Sequence, residues 1–332
     1  MLYPGYNGVL TVQQGKSIYW MPFLLALVFA ILLTSLPVDQ FVDRDNYLMY
    51  AGNSIAILLL NASQGIGSVL TNEPLWLLTN ILLSSFLEPE ACVRTIIAFS
   101  SFCICYVMLR ARAGSVFILL LFLLLPQVLK NYVIHLRQGM AISVFMIGWL
   151  SDRKAVRNTM FTLVPFIHAS FFFIIGFIVI NKILAALRLS ATIRLIFFVA
   201  IGLFLSFASI WLAAQLGARQ GGEYKSSGTE TSGLGFIFWT LFAAIFVFQG
   251  AAFLKRHAVT LSVLVFYLAS YFFLPVSARI FESALLIILL ASLELTTYRR
   301  TLFLFLFSFY FFAQWSQRVG LPGAGWGIEN YL

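Results

Sequence analysis

Between two strongly apolar runs, residues 130–138 place Lys130, His135, Arg137 and Gln138 within nine positions. Ionisable side chains that deep in an apolar sequence are costly, and they usually face a bundle interior, a water-filled cavity or a substrate. The guanidinium of Arg137 stays charged, and its planar fork of donors suits a phosphate or diphosphate. Written as one helix, Asn131, His135 and Gln138 share a face by i,i+4 and i,i+3 spacing, with Arg137 at its edge. The plainer reading is an arginine at a loop end that snorkels to lipid head groups, which leaves His135 and Gln138 without a role.

Other residues could work with this stretch. His168 stands in Pro165-Phe166-Ile167-His168-Ala169-Ser170, with no charge between Arg157 and Lys182. An imidazole there is either a general base or donor to a substrate, or a ring bonded to a backbone carbonyl or hydroxyl. Arg279 lies three residues before Glu282; the two form a local ion pair, or Arg279 is a second cation for a diphosphate and Glu282 orients it. Asp43, Arg44, Asp45 and Tyr47 read as a hydrated loop, or as carboxylates beside a ring that suit sugar binding or base catalysis. Glu73 precedes Pro74, which fits a first helical turn. Its carboxylate there either caps the helix and favours the positive end of the dipole, or serves with Asp45 as an alternate base.

The elements that must position these groups are membrane helices. The chain has 332 residues, of which 61% are hydrophobic and 10% charged, with 35 phenylalanines and a mean hydropathy of +0.95. Soluble domains run near 25% charged, so the composition is that of an integral membrane protein. The net charge of +9 sits in short clusters between apolar runs, the pattern of topology signals and anionic-lipid contacts, and no nucleic-acid partner is expected. Cys92, Cys103 and Cys105 lie in or beside one run, with Cys103 and Cys105 on different helix faces, so neither a disulfide nor a metal site is indicated. No HExxH, CxxC, P-loop or GxGxxG occurs, and metal hydrolysis, redox chemistry and nucleotide-driven transport have no motif behind them.

Apolar runs long enough to span begin with Ser17–Leu36, read as an uncleaved anchor. Pro37–Asn53 reads as a polar connection and Ser54–Leu70 as an interfacial or re-entrant piece. Spans or part-spans follow at Glu73–Leu87, Ala91–Leu109, Ser115–Leu129 (interrupted by Pro126), Met140–Leu150, Thr159–Ile180 and Leu195–Leu212. Residues 215–235, rich in Gly, Ser and Thr, read as a mobile external loop. Phe236–Leu254, Val259–Leu274, Ile280–Leu295 and Thr301–Trp315 complete about ten or eleven membrane segments in one polytopic, all-α domain over residues 1–332. The positive-inside rule puts both Arg153-Lys154-Arg157 and Lys182-Arg188-Arg194 on the cytoplasmic side. One span between them cannot satisfy both, so either the chain breaks around His168 or one cluster lies outside.

Five short motifs occur in order: Asp43-Arg44-Asp45-Asn46-Tyr47, Glu73-Pro74-Leu75-Trp76, Leu136-Arg137-Gln138-Gly139-Met140-Ala141, Phe166-Ile167-His168-Ala169-Ser170 and Ala278-Arg279-Ile280-Phe281. In this order they resemble the EpsG-like branch of the Wzy polysaccharide polymerases. Where Ala169 stands, relatives often carry a basic residue. The resemblance implies a multi-helix fold related to the large GT-C-type membrane glycosyltransferases, in the bacterial inner membrane. It also implies that a growing glycan on undecaprenyl diphosphate is transferred to the sugar end of a new lipid-linked repeat unit at the periplasmic face. The glycosyl–diphosphate bond would drive the reaction, so no cofactor is called for. A chain-length regulator and a flippase are implied as partners, beside membrane lipid.

On that reading Arg137 and Arg279 neutralise the departing diphosphate and His168 takes the acceptor proton. Asp45 and Glu73 are alternate bases, while Gln138, His135, Tyr47, Asp43, Arg44 and Glu282 hold substrate. Three other readings stay open. A transporter would bind at the midplane between internal repeats. An acyltransferase also uses a buried histidine but has no need of two separated arginines. An O-antigen ligase shares the donor and differs in the acceptor.

Overall fold

A computed structural model describes residues 20–215, 233–274 and 276–328. The fold is all-helical (81% helix), with no strand among the described residues beyond one isolated bridge, Phe41 to Gly327. The chain forms two compact units, Met1–Phe172 with Ala313–Leu332, and Phe173–Phe312.

In the first unit the helices are α1 (Trp20–Thr34), α2 (Arg44–Ser63), α3 (Ile66–Thr71), α4 (Pro74–Ser84), α5 (Pro89–Ala111), α6 (Val116–Leu123), α7 (Pro126–Val133), α8 (Leu136–Trp149) and α9 (Lys154–Leu163). The next helix, α10 (Ser170–Ala186), begins here and continues into the second unit. Helix α5 is the centre of this unit and packs against α1, α2 and α8, while α2 also packs on α4. Proline opens α4, α5 and α7 at the first turn, where its missing N–H costs nothing.

The second unit holds α11 (Ala191–Gln215), α12 (Gly233–Phe248), α13 (Ala251–Arg256), α14 (Ala258–Ser270), α15 (Ser277–Ser292) and most of α16 (Thr297–Ser316). Every residue from Ile280 to Ser292 is buried, so α15 is enclosed on all sides along that stretch and forms the core of that unit. Large apolar side chains lie exposed elsewhere, among them Leu32, Leu59, Phe305 and Phe312, as a lipid-facing surface requires.

Among the described residues, Pro89–Ala111 and Ala191–Ala208 are long and apolar enough to cross a membrane, with Ala113–Leu123 and Pro126–Val133 as a further pair bent by 73°. The bend falls at Pro126, as read from the sequence. The run 159–180 is also interrupted around His168: α9 gives way to a 3-10 turn at Val164–Phe166, and α10 starts only at Ser170. Most of the stretch 215–235 lies outside the described residues.

Two readings are corrected. Pro37–Asn53 is not a connection throughout, because α2 begins at Arg44 and runs to Ser63, and Gly65 (φ 104) separates it from α3. Its inward stripe, Arg44, Tyr47, Ala51 and Ser54, has helical spacing but too little apolar character to register as a span. Nor do Asn131, His135 and Gln138 share one helix. The helix ends at Val133, and His135 (φ −103, ψ 59) is the N-cap of α8.

Gly139 allows this tight break. A Cβ there would fall on the carbonyl oxygen of Asn131. Gly52, on α2, has nothing within 4 Å of its would-be Cβ. In detergent, Gly139→Ala should therefore lower the apparent unfolding temperature, by about 1–3 kcal/mol of overpacking, whereas Gly52→Ala should leave it equal or slightly raised.

Candidate functional site

Three helix breaks of the first unit bring Glu73, Arg137 and His168 together. Glu73 precedes α4 with left-handed backbone (φ 54, ψ 54), a conformation that costs a non-glycine residue about 1–3 kcal/mol. Its side chain makes no capping bond to α4; the backbone carbonyl instead accepts from Trp76 N (3.0 Å) and Leu77 N (3.2 Å). The reading of Glu73 as a side-chain cap is thereby replaced, because the carboxylate is turned away from its own helix.

That carboxylate accepts three hydrogen bonds. Arg137 Nη1 donates to Oε2 at 2.7 Å, His168 Nδ1 lies 2.7 Å from Oε1, and Ala169 N donates to Oε1 at 3.2 Å. A carboxylate can only accept, so Nδ1 carries the ring proton and the neutral ring presents its lone pair at Nε2. Nε2 is buried and has no hydrogen-bond partner among the described residues. The Glu73 side chain is 11% exposed, whereas the Arg137 side chain is 35% exposed and keeps donors for a further group.

An aromatic wall completes the cluster. The Arg137 guanidinium lies 5.3 Å over the ring of Tyr50, and the buried Tyr47 stands one turn before Tyr50 on α2. Trp76, almost fully buried, sets its ring edge-on to Tyr47 (5.6 Å, 70°) and to Tyr50 (6.4 Å, 80°). Tyr50 and Trp76 were not singled out as site residues in the sequence. The signal was there in the i,i+3 spacing of Tyr47 and Tyr50 and in a tryptophan in the first turn after Glu73.

The remaining sequence-derived residues fall elsewhere. Gln138 is buried on the first turn of α8, and His135 caps that helix. Asp43 and Asp45 are exposed, flanking the fully buried Arg44. Asp45 stands in the first turn of α2, where its charge suits the helix dipole, and it is not among the groups around Glu73. Arg279 is exposed near the start of α15 and Glu282 is buried one turn on, both in the second unit.

Residues 17–325 match a family model described as the EpsG family, a family of Wzy-like polymerases. No curated protein and no solved structure matches the chain.

Burial of the Glu73 carboxylate is compensated by the donors of Arg137, His168 and Ala169 that meet both of its oxygens. Glu73→Gln, which leaves the Arg137 guanidinium without its carboxylate, should unfold at a lower temperature in detergent at neutral pH.

Proposed function

We propose that this chain, which belongs to the EpsG family, is a membrane polysaccharide polymerase. It transfers a growing glycan from undecaprenyl diphosphate to the non-reducing end of a new lipid-linked repeat unit, at the periplasmic face of the bacterial inner membrane. The observation that supports this reading is the Glu73 carboxylate shared between a cation and an imidazole. That pairing suits a reaction needing both a base and a stabiliser of departing negative charge.

The acceptor hydroxyl gives its proton to His168 Nε2 as its oxygen attacks the anomeric carbon of the donor sugar. The bond from that carbon to the diphosphate oxygen breaks, and the lipid diphosphate leaves as the anion. Glu73 holds the ring in the tautomer that leaves Nε2 free to accept, and it stabilises the imidazolium that forms. Arg137 faces the departing charge with the donors that Glu73 does not use. Preorganised donors aimed at developing charge usually supply the largest catalytic contribution. Tyr47, Tyr50 and Trp76 offer ring surface to a sugar, and Gln138 a hydrogen-bonding amide. Arg279 enters as a second cation for the diphosphate on the strength of the sequence resemblance.

His168→Ala and Arg137→Ala should each lower polymerisation by about 10²–10⁴-fold. In cells they should leave single repeat units in place of a ladder of long chains, and Arg279→Ala should act in the same direction. Purified protein given lipid-linked repeat unit in detergent should form polymer and release undecaprenyl diphosphate. Normal ladders in the Arg137 and His168 variants would sink the proposal. Transfer only to a non-repeat acceptor would point to a ligase, and uptake without turnover to a transporter.

A further inference from the structure

Arg44 carries a charge with almost no company. It is fully buried, while Asp43 and Asp45 on either side are exposed. Its Nε donates to the carbonyl of Val133 at 2.6 Å, and its guanidinium lies 5.5 Å over the ring of Phe41. Nη1 and Nη2 are buried without an acceptor among the described residues. Arg94, a neighbouring cation, offers it no acceptor and is itself engaged with Glu90 and with the carbonyls of Thr34 and Leu36. A cation buried this way is poor value as a source of stability. Its position explains it better.

Val133 is the last residue of α7, and its carbonyl belongs to the terminal set that has no partner within the helix. Arg137 is the second residue of α8, which starts three positions later. The break between them is pinned on one side by the contact of Gly139 with Asn131 and on the other by Arg44. Further along α2, Tyr50 sets its ring beneath the Arg137 guanidinium at 5.3 Å.

Arg44 is held in turn by the C-terminal segment. Val42 N donates to Trp326 O (3.0 Å) and Ile328 N to Gln40 O (3.0 Å). Phe41 pairs with Gly327 and sets its ring against Gly323, where a Cβ would stand 3.0 Å away. The ring beneath the guanidinium is therefore seated by residues 322–328.

We infer that Arg44 is a positioning residue for Arg137: it fixes the angle at which α8 leaves the α7–α8 break, and the 322–328 segment keeps it in place. The inference rests on the reading of Arg137 as a diphosphate ligand. The test uses the full chain in detergent and undecaprenyl diphosphate as probe, with undecaprenol as the uncharged control. Dissociation constants and unfolding temperatures are measured for Arg44→Met, Arg44→Lys, Arg137→Ala and the Arg44→Met/Arg137→Ala double variant.

Arg137→Ala should weaken diphosphate binding by about tenfold or more, the loss of one charge-assisted hydrogen bond. Arg44→Met should weaken it by a similar factor with no loss of unfolding temperature, because an apolar side chain removes a costly buried charge. Arg44→Lys keeps a donor for Val133 and should recover most of the affinity. In the double variant the two losses should not add, and undecaprenol binding should be the same throughout. Additive losses, or an Arg44→Met variant that binds the diphosphate like the wild type or loses undecaprenol equally, overturn the positioning role alone. Unchanged diphosphate binding by Arg137→Ala overturns the reading of Arg137 and the inference with it.

Discussion

One carboxylate decides where three parts of the first unit must stand. Glu73 is buried, and a buried carboxylate is tolerable only when its charge is matched and its lone pairs are used. It meets that demand with donors 64, 95 and 96 positions away. Each donor comes from a place where a helix has just ended or is just beginning. Arg137 follows the break after α7, and His168 and Ala169 fill the gap before α10. An uninterrupted helix could not lend the N–H of Ala169, because it would already be bonded four residues back. In an apolar surround, irregular backbone is admissible only where protein or a cavity satisfies its polar groups. The breaks and the carboxylate therefore require one another.

That arrangement also divides one anion between two unlike donors, a guanidinium and an imidazole N–H. Oε2 serves the guanidinium and Oε1 the imidazole, so neither ring proton nor arginine charge competes for the same lone pairs. The aromatic wall matters for the same reason. A guanidinium over Tyr50 keeps a favourable contact on its face while its edge remains free to meet an anion. Low polarity around the cluster strengthens each of these attractions, and it raises the cost of losing any one of them.

The fold class, most apolar segments and the bend at Pro126 were legible because each is written in local composition. The interruption around His168 was legible as well, from a conflict between two basic clusters that a straight span could not resolve. What could not be read was anything set by distant pairing. Asn131 to Gln138 looks continuous, with no proline to end the helix at Val133; the break is visible only once Gly139 is seen against Asn131 and Arg44 against Val133. Helix α2 was missed at its start because a stripe of Arg44, Tyr47 and Ser54 is too polar for any hydropathy window. Glu73 was seen as one more carboxylate, since its partners lie more than sixty residues off. Tyr50 and Trp76 passed as ordinary aromatics in a chain with 13 tyrosines and 7 tryptophans.

Arg44 and Arg137 show two ways of placing a guanidinium in an apolar protein, and the contrast explains their neighbourhoods. Arg137 has a carboxylate, an aromatic ring and partial exposure, so it can exchange partners at little cost. Arg44 has a carbonyl, a ring and no exposure, so any movement of α2 against α7 would leave its charge with less than the little it has. A group of that kind is a poor ligand and a stiff spacer. Its penalty is smallest at one separation of the two helices, which is the property needed next to a break whose angle aims a working side chain. The C-terminal residues that seat Phe41 complete the constraint, for that ring supplies the aromatic face on which the guanidinium rests.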